Sequence, residues 1–197
     1  SHRDWVFSGH GVPVTVRVAV TANVGFPAIA SREARVLILG SMPSARSLAA
    51  GRYYAHPHNA FWPILGALCG FSPSAPYRER ARQLRAHGIA LWDVLLSCER
   101  PGSLDSSIVR ESMRTNDFAG FLSRHRRIGL VLCNGSTAFS LFTARVRPEL
   151  RPPWNGLRCI QMPSTSPAHA GMRVAQKLAK WRAVLAPVLA DITAGER

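Results

Sequence analysis

The sequence predicts an α/β protein in which a parallel sheet is covered by helices on both faces. Four short runs rich in Val, Ile and Leu recur along the chain, helical patterns lie between them, and small, polar residues follow each run. Near-continuous apolar strands are typical of parallel sheets, because the connecting helices bury both faces of the sheet. A chain of 197 residues is long enough to bury such a core within one domain.

The predicted strands and helices alternate along the chain. The strands span residues 34–39 (ARVLIL), 89–96 (IALWDVLL), 128–133 (IGLVLC) and 157–162 (LRCIQM). The helices span residues 61–69, 77–87, 117–126, 136–145 and 172–192, and glycines follow or end the first two. We expect residues 1–33 to form an N-terminal extension with some β character (VPVTVRVAV), and residues 34–197 to form a single domain.

Charge is the strongest global signal. Twenty-five Lys and Arg residues oppose eleven Asp and Glu residues, which gives a formal net charge of +14. Such an excess attracts polyanions, of which nucleic acid is the commonest inside a cell. A GC-rich genome would explain why only Lys177 and Lys180 are lysines, but it would not explain the scarcity of acids.

Other global features narrow the class of protein. No apolar run reaches the roughly 18 residues that span a bilayer, and no signal peptide is visible, so we expect a cytoplasmic, nucleoid-associated protein with no membrane partner. The cysteines are widely spaced with no CxxC pair, which predicts neither a metal site nor a disulfide; they are Cys69, Cys98, Cys133 and Cys159.

A ligand is expected at the carboxyl edge of the sheet, where open α/β sheets bind their ligands. The four loops there are rich in small and turn-forming residues; they span residues 40–47 (GSMPSARS), 97–107 (SCERPGSLDSS), 134–138 (NGSTA) and 163–171 (PSTSPAHAG). No Walker lysine follows GSMPS. Ser164, His169 and Asp93 could be nominated as a catalytic triad, but no G-x-S-x-G elbow is present.

The segment RYYAHPHNAFWPIL, residues 52–65, suggests what the ligand is. A nucleobase is flat, so Tyr54 could stack on it, and Asn59 could match the donors and acceptors of its edge. Pro57 would fix the turn between them. Phe61 and Trp62 are expected chiefly to anchor the following helix in the core, with Phe61 also a candidate for contact with the base.

These loops together resemble the uracil-DNA glycosylase superfamily, and within it the hypoxanthine-DNA (deoxyinosine) glycosylase family, with the mismatch-specific uracil-DNA glycosylases as close relatives. The resemblance covers roughly residues 25–190 and keeps the order of the loops. It implies a three-layer α/β/α fold with a four-stranded, mainly parallel central sheet. It also implies a cofactor-free, monofunctional enzyme, expected to be a monomer, that binds double-stranded DNA, flips out a deaminated base and cuts its N-glycosidic bond.

The resemblance also assigns roles to residues. The catalytic candidates are Asn59 and the main chain of Ser41 and Met42, and the base-binding candidates are Tyr54, Gly40, Asp93 and Phe61. The candidates for contact with DNA are Ser44, Ser164, Thr165, Ser166, Ala168 and His169. For Asp93, reading the base, stabilising the sugar cation and a structural role all remain open.

Two departures bear on the function. Many relatives carry Asn or Asp where this chain has Met42, and the well-known uracil enzymes carry His where it has Ser164. Both departures fit the hypoxanthine family, in which the Asn of the second motif is the catalytic polar residue. Hypoxanthine is therefore the expected base, and whether uracil is also a substrate stays open. A non-catalytic nucleic-acid-binding domain is the alternative, and a nucleotide-metabolising enzyme acting on free nucleosides is a more remote one.

Overall fold

The computed structural model of the protein describes residues 22–194 and two short strands that precede them. These two strands, β1 (Val6–Phe7) and β2 (Pro13–Val14), pair in antiparallel fashion. The rest of the β segment expected at residues 12–20 lies outside the described residues. Within the described part of the chain, no helix is both long and apolar enough to cross a membrane.

The remaining elements include the predicted strands and helices, together with further short ones. The strands are β3 (Asn23–Val24), β4 (Val36–Gly40), β5 (Ile89–Asp93), β6 (Leu95–Cys98), β7 (Arg114–Thr115), β8 (Leu130–Asn134) and β9 (Arg158–Met162). The α-helices are α1 (Ala45–Ala50), α2 (Phe61–Cys69), α3 (Tyr77–Ala86), α4 (Phe118–Arg124), α5 (Ser136–Leu141) and α6 (Val174–Ala194).

The central sheet has four strands in the order β5–β4–β8–β9, and all of its pairings are parallel. Alternate residues of β4 face opposite sides, as the two-residue period of a strand requires. Leu37 and Leu39 pack with the side chains of α4 and α5. Val36 and Ile38 pack with those of α2, α3 and α6. The predicted three-layer α/β/α fold is confirmed, with a sheet that is parallel throughout.

The second predicted strand, residues 89–96, is two strands in the structure. β5 ends at Asp93, and β6 belongs to a separate antiparallel sheet of order β3–β6–β7. At the junction the Val94 N–H donates to the Gly40 carbonyl (2.8 Å), and the Asn116 N–H donates to the Val94 carbonyl (3.0 Å). The chain therefore leaves the central sheet directly after Asp93, and the loop that follows β6 returns over the carboxyl edge.

Residues 23–30 pack against the domain that the sequence predicts to begin at residue 34. β3 pairs with β6, and Ile29 forms an isolated bridge with Leu91 of β5. The Tyr53 hydroxyl also donates to the Pro27 carbonyl (3.1 Å). The division of the chain at residue 33 stays a prediction.

Candidate active site

A cavity of about 410 Å³ opens at the carboxyl edge of the central sheet, where the predicted loops meet. Parallel strands bring their carboxyl ends to one edge, so loops far apart in sequence converge there. The candidates that line this cavity are Gly40, Ser41, Met42, Ser44, Tyr54, Asn59, Asp93, Ser164, Thr165, Ser166, Ala168 and His169. Phe61 is fully buried, and it lies behind Tyr54 without lining the cavity.

Gly40 is the residue of β4 that lies in register with Asp93 of β5. A Cβ at this position would come within 2.3 Å of the Asp93 Oδ1 atom and 3.2 Å of the Tyr54 hydroxyl oxygen. Contacts of 2.3 Å are far inside van der Waals separation, so any larger residue would displace the Asp93 carboxyl group. The glycine of GSMPS is thus required by its neighbours in the cavity.

Tyr54 is held firmly from two sides. Its ring stacks on the Phe61 ring, with 4.0 Å between the ring centroids and 20° between the ring planes. Its hydroxyl accepts a hydrogen bond from the Asn134 Nδ2 atom (3.0 Å). Burial, reinforced by nearby Asp93, raises the pKa of Tyr54 well above its usual value. The phenol is therefore neutral, and its ring has one face against Phe61.

Asn134, the last residue of β8, connects Tyr54 with the loop after β9. Its Nδ2 atom also donates to the Thr165 hydroxyl (2.8 Å), and its Oδ1 atom accepts from the Thr165 N–H (2.9 Å). Thr165 is only 1% exposed, and its carbonyl accepts a hydrogen bond from the Ala60 N–H (2.9 Å). Three loops of the cavity are thereby joined through one asparagine and one threonine.

Asn59 lies two residues before helix α2 begins at Phe61. Its Oδ1 atom accepts a hydrogen bond from the Phe61 N–H (3.0 Å), which also fixes which end of the amide carries oxygen. No acceptor for the Asn59 Nδ2 group is found among the described residues. Because Asn59 lines the cavity, its chemical contribution there is that of an amide N–H donor.

Ser41 and Met42 differ in what they present. Met42 is 6% exposed and its side chain packs in the apolar core with Leu39, which favours its backbone as the part that contacts a ligand. The Ser41 hydroxyl lies 2.8 Å from both carboxylate oxygens of Asp105 and donates to them. The expectation that Met42 acts through its main chain agrees with this placement and stays a prediction.

Asp93 is 3% exposed and lies at the end of β5, where it lines the cavity. Burial, and to a smaller extent nearby Asp105, raise the pKa of Asp93 to about 8, and Arg100 opposes the shift. The buried Oδ2 atom has no hydrogen-bond partner among the described residues. A carboxyl group in this environment is protonated at neutral pH, so it offers both an O–H donor and a carbonyl acceptor.

Asp105 and Arg100 come from the loop after β6 and were not singled out by the sequence. The Arg100 side chain is 1% exposed; it donates to the carbonyls of Met42 and Pro43, and its Nη1 atom lies 3.7 Å from the Asp105 Oδ1 atom. This arginine therefore fastens the loop after β6 to GSMPS and places a positive charge beside Asp105. Asp105 itself lines the cavity.

The loop of residues 163–171 is anchored from below by helix α6. The Trp181 Nε1 atom donates to the Pro163 carbonyl (3.0 Å), and the buried Lys177 ammonium donates to the Ser166 carbonyl (3.1 Å). Ala168 and His169 lie exposed at the tip. Ser164 accepts from the Ser166 N–H (3.2 Å), and among the described residues no histidine bonds to it, so the nominated triad does not form.

The functional residues that the sequence analysis missed lie in loops that it had selected. Asp105 and Asn134 both lie in loops that the carboxyl-edge rule selects, yet nothing in the local pattern distinguishes them from turn residues.

Among the described residues, no group of three or more His, Cys, Asp and Glu side chains is placed to hold a metal ion.

The chain belongs to the uracil DNA glycosylase superfamily, whose family model matches residues 26–186. Its class is therefore that of the DNA glycosylases. A solution NMR structure of a Methanosarcina acetivorans protein, provisionally named a uracil DNA glycosylase, superposes with a TM-score of 0.70 at 30% identity. The superposition covers 84% of this chain and 98% of that one.

Two relatives have names that specify the base they remove. The hypoxanthine DNA glycosylase of Methanosarcina acetivorans is 36% identical over 115 residues, which are 58% of this chain and 72% of the relative. The hypoxanthine DNA glycosylase of Methanosarcina barkeri is 37% identical over 112 residues, or 56% of this chain and 70% of the relative. The predicted resemblance is confirmed at the level of the superfamily and of these relatives.

Proposed function

We propose that the protein is a DNA repair enzyme that excises a deaminated base from double-stranded DNA and leaves an abasic site. Hypoxanthine is the preferred base, and uracil is the alternative. The enzyme acts as a cofactor-free monomer. The observation that carries the proposal is one cavity in which an aromatic ring, an amide donor and a neutral carboxyl group lie together: Tyr54, Asn59 and Asp93.

The base would be held by its flat face and by one edge. Tyr54 offers the ring face that Phe61 does not cover, so the role of Phe61 is to hold Tyr54 in place. Hypoxanthine and uracil each present a carbonyl oxygen beside a ring N–H. A protonated Asp93 can accept from that N–H and donate to that oxygen, and the Asn59 amide supplies a further donor.

The reaction breaks the bond between C1′ and the base nitrogen, and the electron pair leaves with the base. A charged carboxylate beside the leaving base would repel this negative charge, so burial of Asp93 favours the reaction by keeping the group neutral. The backbone N–H groups of Ser41 and Met42 are proposed to donate to the base. Preorganised donors of this kind are worth roughly 10²–10³ in rate each.

Access to the cavity requires the target nucleotide to leave the duplex. Flipping costs a few kcal/mol, and least for a mispaired base, which favours deaminated bases over normal ones. The net charge of +14 supports contact with the phosphates. Ser44 and the exposed tip of loop 163–171, with Ala168 and His169, flank the cavity and are the proposed contacts with the DNA backbone.

The test of this function is single-turnover excision from a duplex with one inosine, comparing the wild type with Asn59→Ala. We expect Asn59→Ala to slow excision at least about tenfold, or roughly 1.4 kcal/mol of barrier, with duplex binding nearly unchanged. The matched control is Asn155→Ala, since Asn155 is exposed and does not line the cavity. Equal rates for Asn59→Ala and the wild type would contradict the assignment of Asn59.

A second candidate function has one observation in its favour. The Met42 side chain is buried in the core, so the first loop brings no catalytic amide or carboxyl group at that position. A non-catalytic DNA-binding domain would have the same fold and charge. Wild-type protein that binds an inosine duplex and yields no abasic site over prolonged incubation would favour this candidate.

A further inference from the structure

The cavity contains a second carboxyl group that the proposed function does not use. Asp105 lies in the loop after β6, and its side chain is 37% exposed, in contrast to the buried Asp93. A substrate or a water molecule in the cavity can therefore reach Asp105.

The Asp105 carboxylate is held in a defined orientation. The Ser41 hydroxyl lies 2.8 Å from both of its oxygens and donates to them, and Thr137 acts to lower the pKa of the Asp105 carboxyl. Arg100 approaches to 3.7 Å and is itself buried. One hydroxyl donor and one positive charge thus orient a carboxylate at the wall of the cavity, which is the arrangement expected of a group that acts on something inside it.

The surroundings separate the charges of the two carboxyl groups. Burial raises the pKa of Asp105, but Ser41, Arg100 and Thr137 oppose the shift. Asp93 is more deeply buried, its Oδ2 atom has no partner among the described residues, and its pKa is about 8. The Arg100 guanidinium at 3.7 Å and the hydrogen bond from Ser41 favour a charged Asp105, whereas the buried Asp93 keeps its proton. Two carboxyl groups held in different protonation states commonly divide the work of catalysis.

We propose that Asp105 is a catalytic residue of the glycosylase, whose carboxylate holds and deprotonates the water that attacks C1′. The inference rests on the proposed function. The C1′–N bond breaks with its electron pair going to the base, and the sugar becomes an oxocarbenium-like cation. The water oxygen then bonds to C1′, one water proton passes to Asp105 and on to solvent, and the departing base takes a proton from solvent. The negative charge of Asp105 also stabilises the sugar cation.

The first test is single-turnover excision from an inosine duplex by Asp105→Asn, which keeps the shape and the acceptor oxygen but removes the charge. We expect a fall of at least about 100-fold, the usual scale of a general base. The matched control is Glu111→Gln, which removes an exposed acid outside the cavity and should keep the wild-type rate.

The second test separates catalysis from loop structure. We compare binding to duplexes that carry a cationic pyrrolidine or a neutral tetrahydrofuran in place of the target sugar. An ionised Asp105 predicts that the wild type binds the pyrrolidine duplex at least about tenfold more tightly, a difference of roughly 1.4 kcal/mol, and that Asp105→Asn loses this preference. A merely structural role would weaken binding to both duplexes equally.

The outcomes are distinguishable. Excision by Asp105→Asn at the wild-type rate, or an unchanged preference for the pyrrolidine duplex, would overturn the role of Asp105 and leave the proposed function standing. A wild type that excises no deaminated base from any duplex would overturn the proposed function, and the role of Asp105 with it.

Discussion

Asp93 lies where burial, rather than a nearby counter-ion, decides its charge. The charged groups that bear on it are Asp105, which raises its pKa, and Arg100, which lowers it. A carboxyl group whose pKa is about 8 in the folded state and near its ordinary value in the unfolded chain binds an extra proton in the folded state. Between those two values the free energy of unfolding falls as pH rises.

Asp93→Asn should therefore stabilise the protein at alkaline pH. The amide is nearly isosteric and never ionises, so the variant avoids the cost of a buried charge. We expect its free energy of unfolding to exceed that of the wild type by at least about 1 kcal/mol at pH 9, the scale of one pKa unit, with a smaller difference at pH 5. Urea unfolding at both values measures this. A difference that does not change with pH would mean that Asp93 is already ionised at low pH.

Tyr54 tests the contact with the base. Tyr54→Ala removes the ring and should weaken binding of the flipped base by about 1–3 kcal/mol, the usual contribution of base–aromatic stacking. Tyr54→Phe keeps the ring and loses the hydrogen bond from Asn134, so it should cost about 1 kcal/mol of stability and little excision. Single-turnover excision and thermal unfolding separate the two effects. If Phe is as damaging as Ala to excision, the ring is not the platform for the base.

Residues that stand in an unusual local pattern were the ones that the sequence could identify. An aromatic, an amide and a rigid turn close together in RYYAHPHNAFWPIL select Tyr54 and Asn59 for the cavity that the structure shows. Asp105 and Asn134 gain their importance from partners 64 and 80 residues away, Ser41 and Tyr54. Local patterns carry no information on such long-range pairs.

At the scale of elements, helix α2 and strand β5 show where prediction from sequence succeeds and fails. α2 spans the predicted residues because Gly70 ends it in a left-handed conformation (φ 74°), a local signal. The run IALWDVLL reads as one strand because every residue but Asp93 is apolar. Its division depends on hydrogen bonds of Val94 with Gly40 and Asn116, which only the tertiary fold supplies.

Helix α6 supports the loop that is proposed to grip DNA, and its lysines provide a matched pair of variants. Lys177 is buried and donates to the Ser166 carbonyl, whereas Lys180 is exposed on the same helix. Lys177→Met should loosen the loop and leave the base cavity in place. We expect the protein concentration for half-maximal single-turnover excision to rise at least about threefold, since a lost hydrogen bond from a charged donor costs roughly 1.5–3 kcal/mol before the loop relaxes. The rate at saturation should not change.

Lys180→Met removes the same charge from the surface and is the control for a general loss of electrostatic attraction. Equal weakening in both variants would mean that charge, rather than support of the loop, explains the effect. A fall in the saturated rate for Lys177→Met alone would mean that the loop takes part in the chemical step.

At the scale of the whole molecule, the fold, the charge and the cavity support the same activity. A parallel sheet brings four loops to one edge, and a net charge of +14 favours a polyanionic substrate. The sequence predicted the sheet and the position of the cavity, because both follow from the alternation of strands and helices. It could not predict the protonation of Asp93, which depends on how deeply the folded chain buries that side chain.

The most direct measurement is excision by the wild type from a panel of duplexes, each with one deaminated base, scored as strand breaks after alkali. The panel contains inosine, deoxyuridine and deoxyxanthosine, with an unmodified duplex and free deoxyinosine as controls. We predict breaks in the inosine duplex at the highest rate, slower or no breaks with deoxyuridine, and no reaction with the unmodified duplex or the free nucleoside. Absence of breaks in every deaminated duplex, or cleavage of free deoxyinosine as fast as of the duplex, would contradict the proposal of a DNA repair glycosylase.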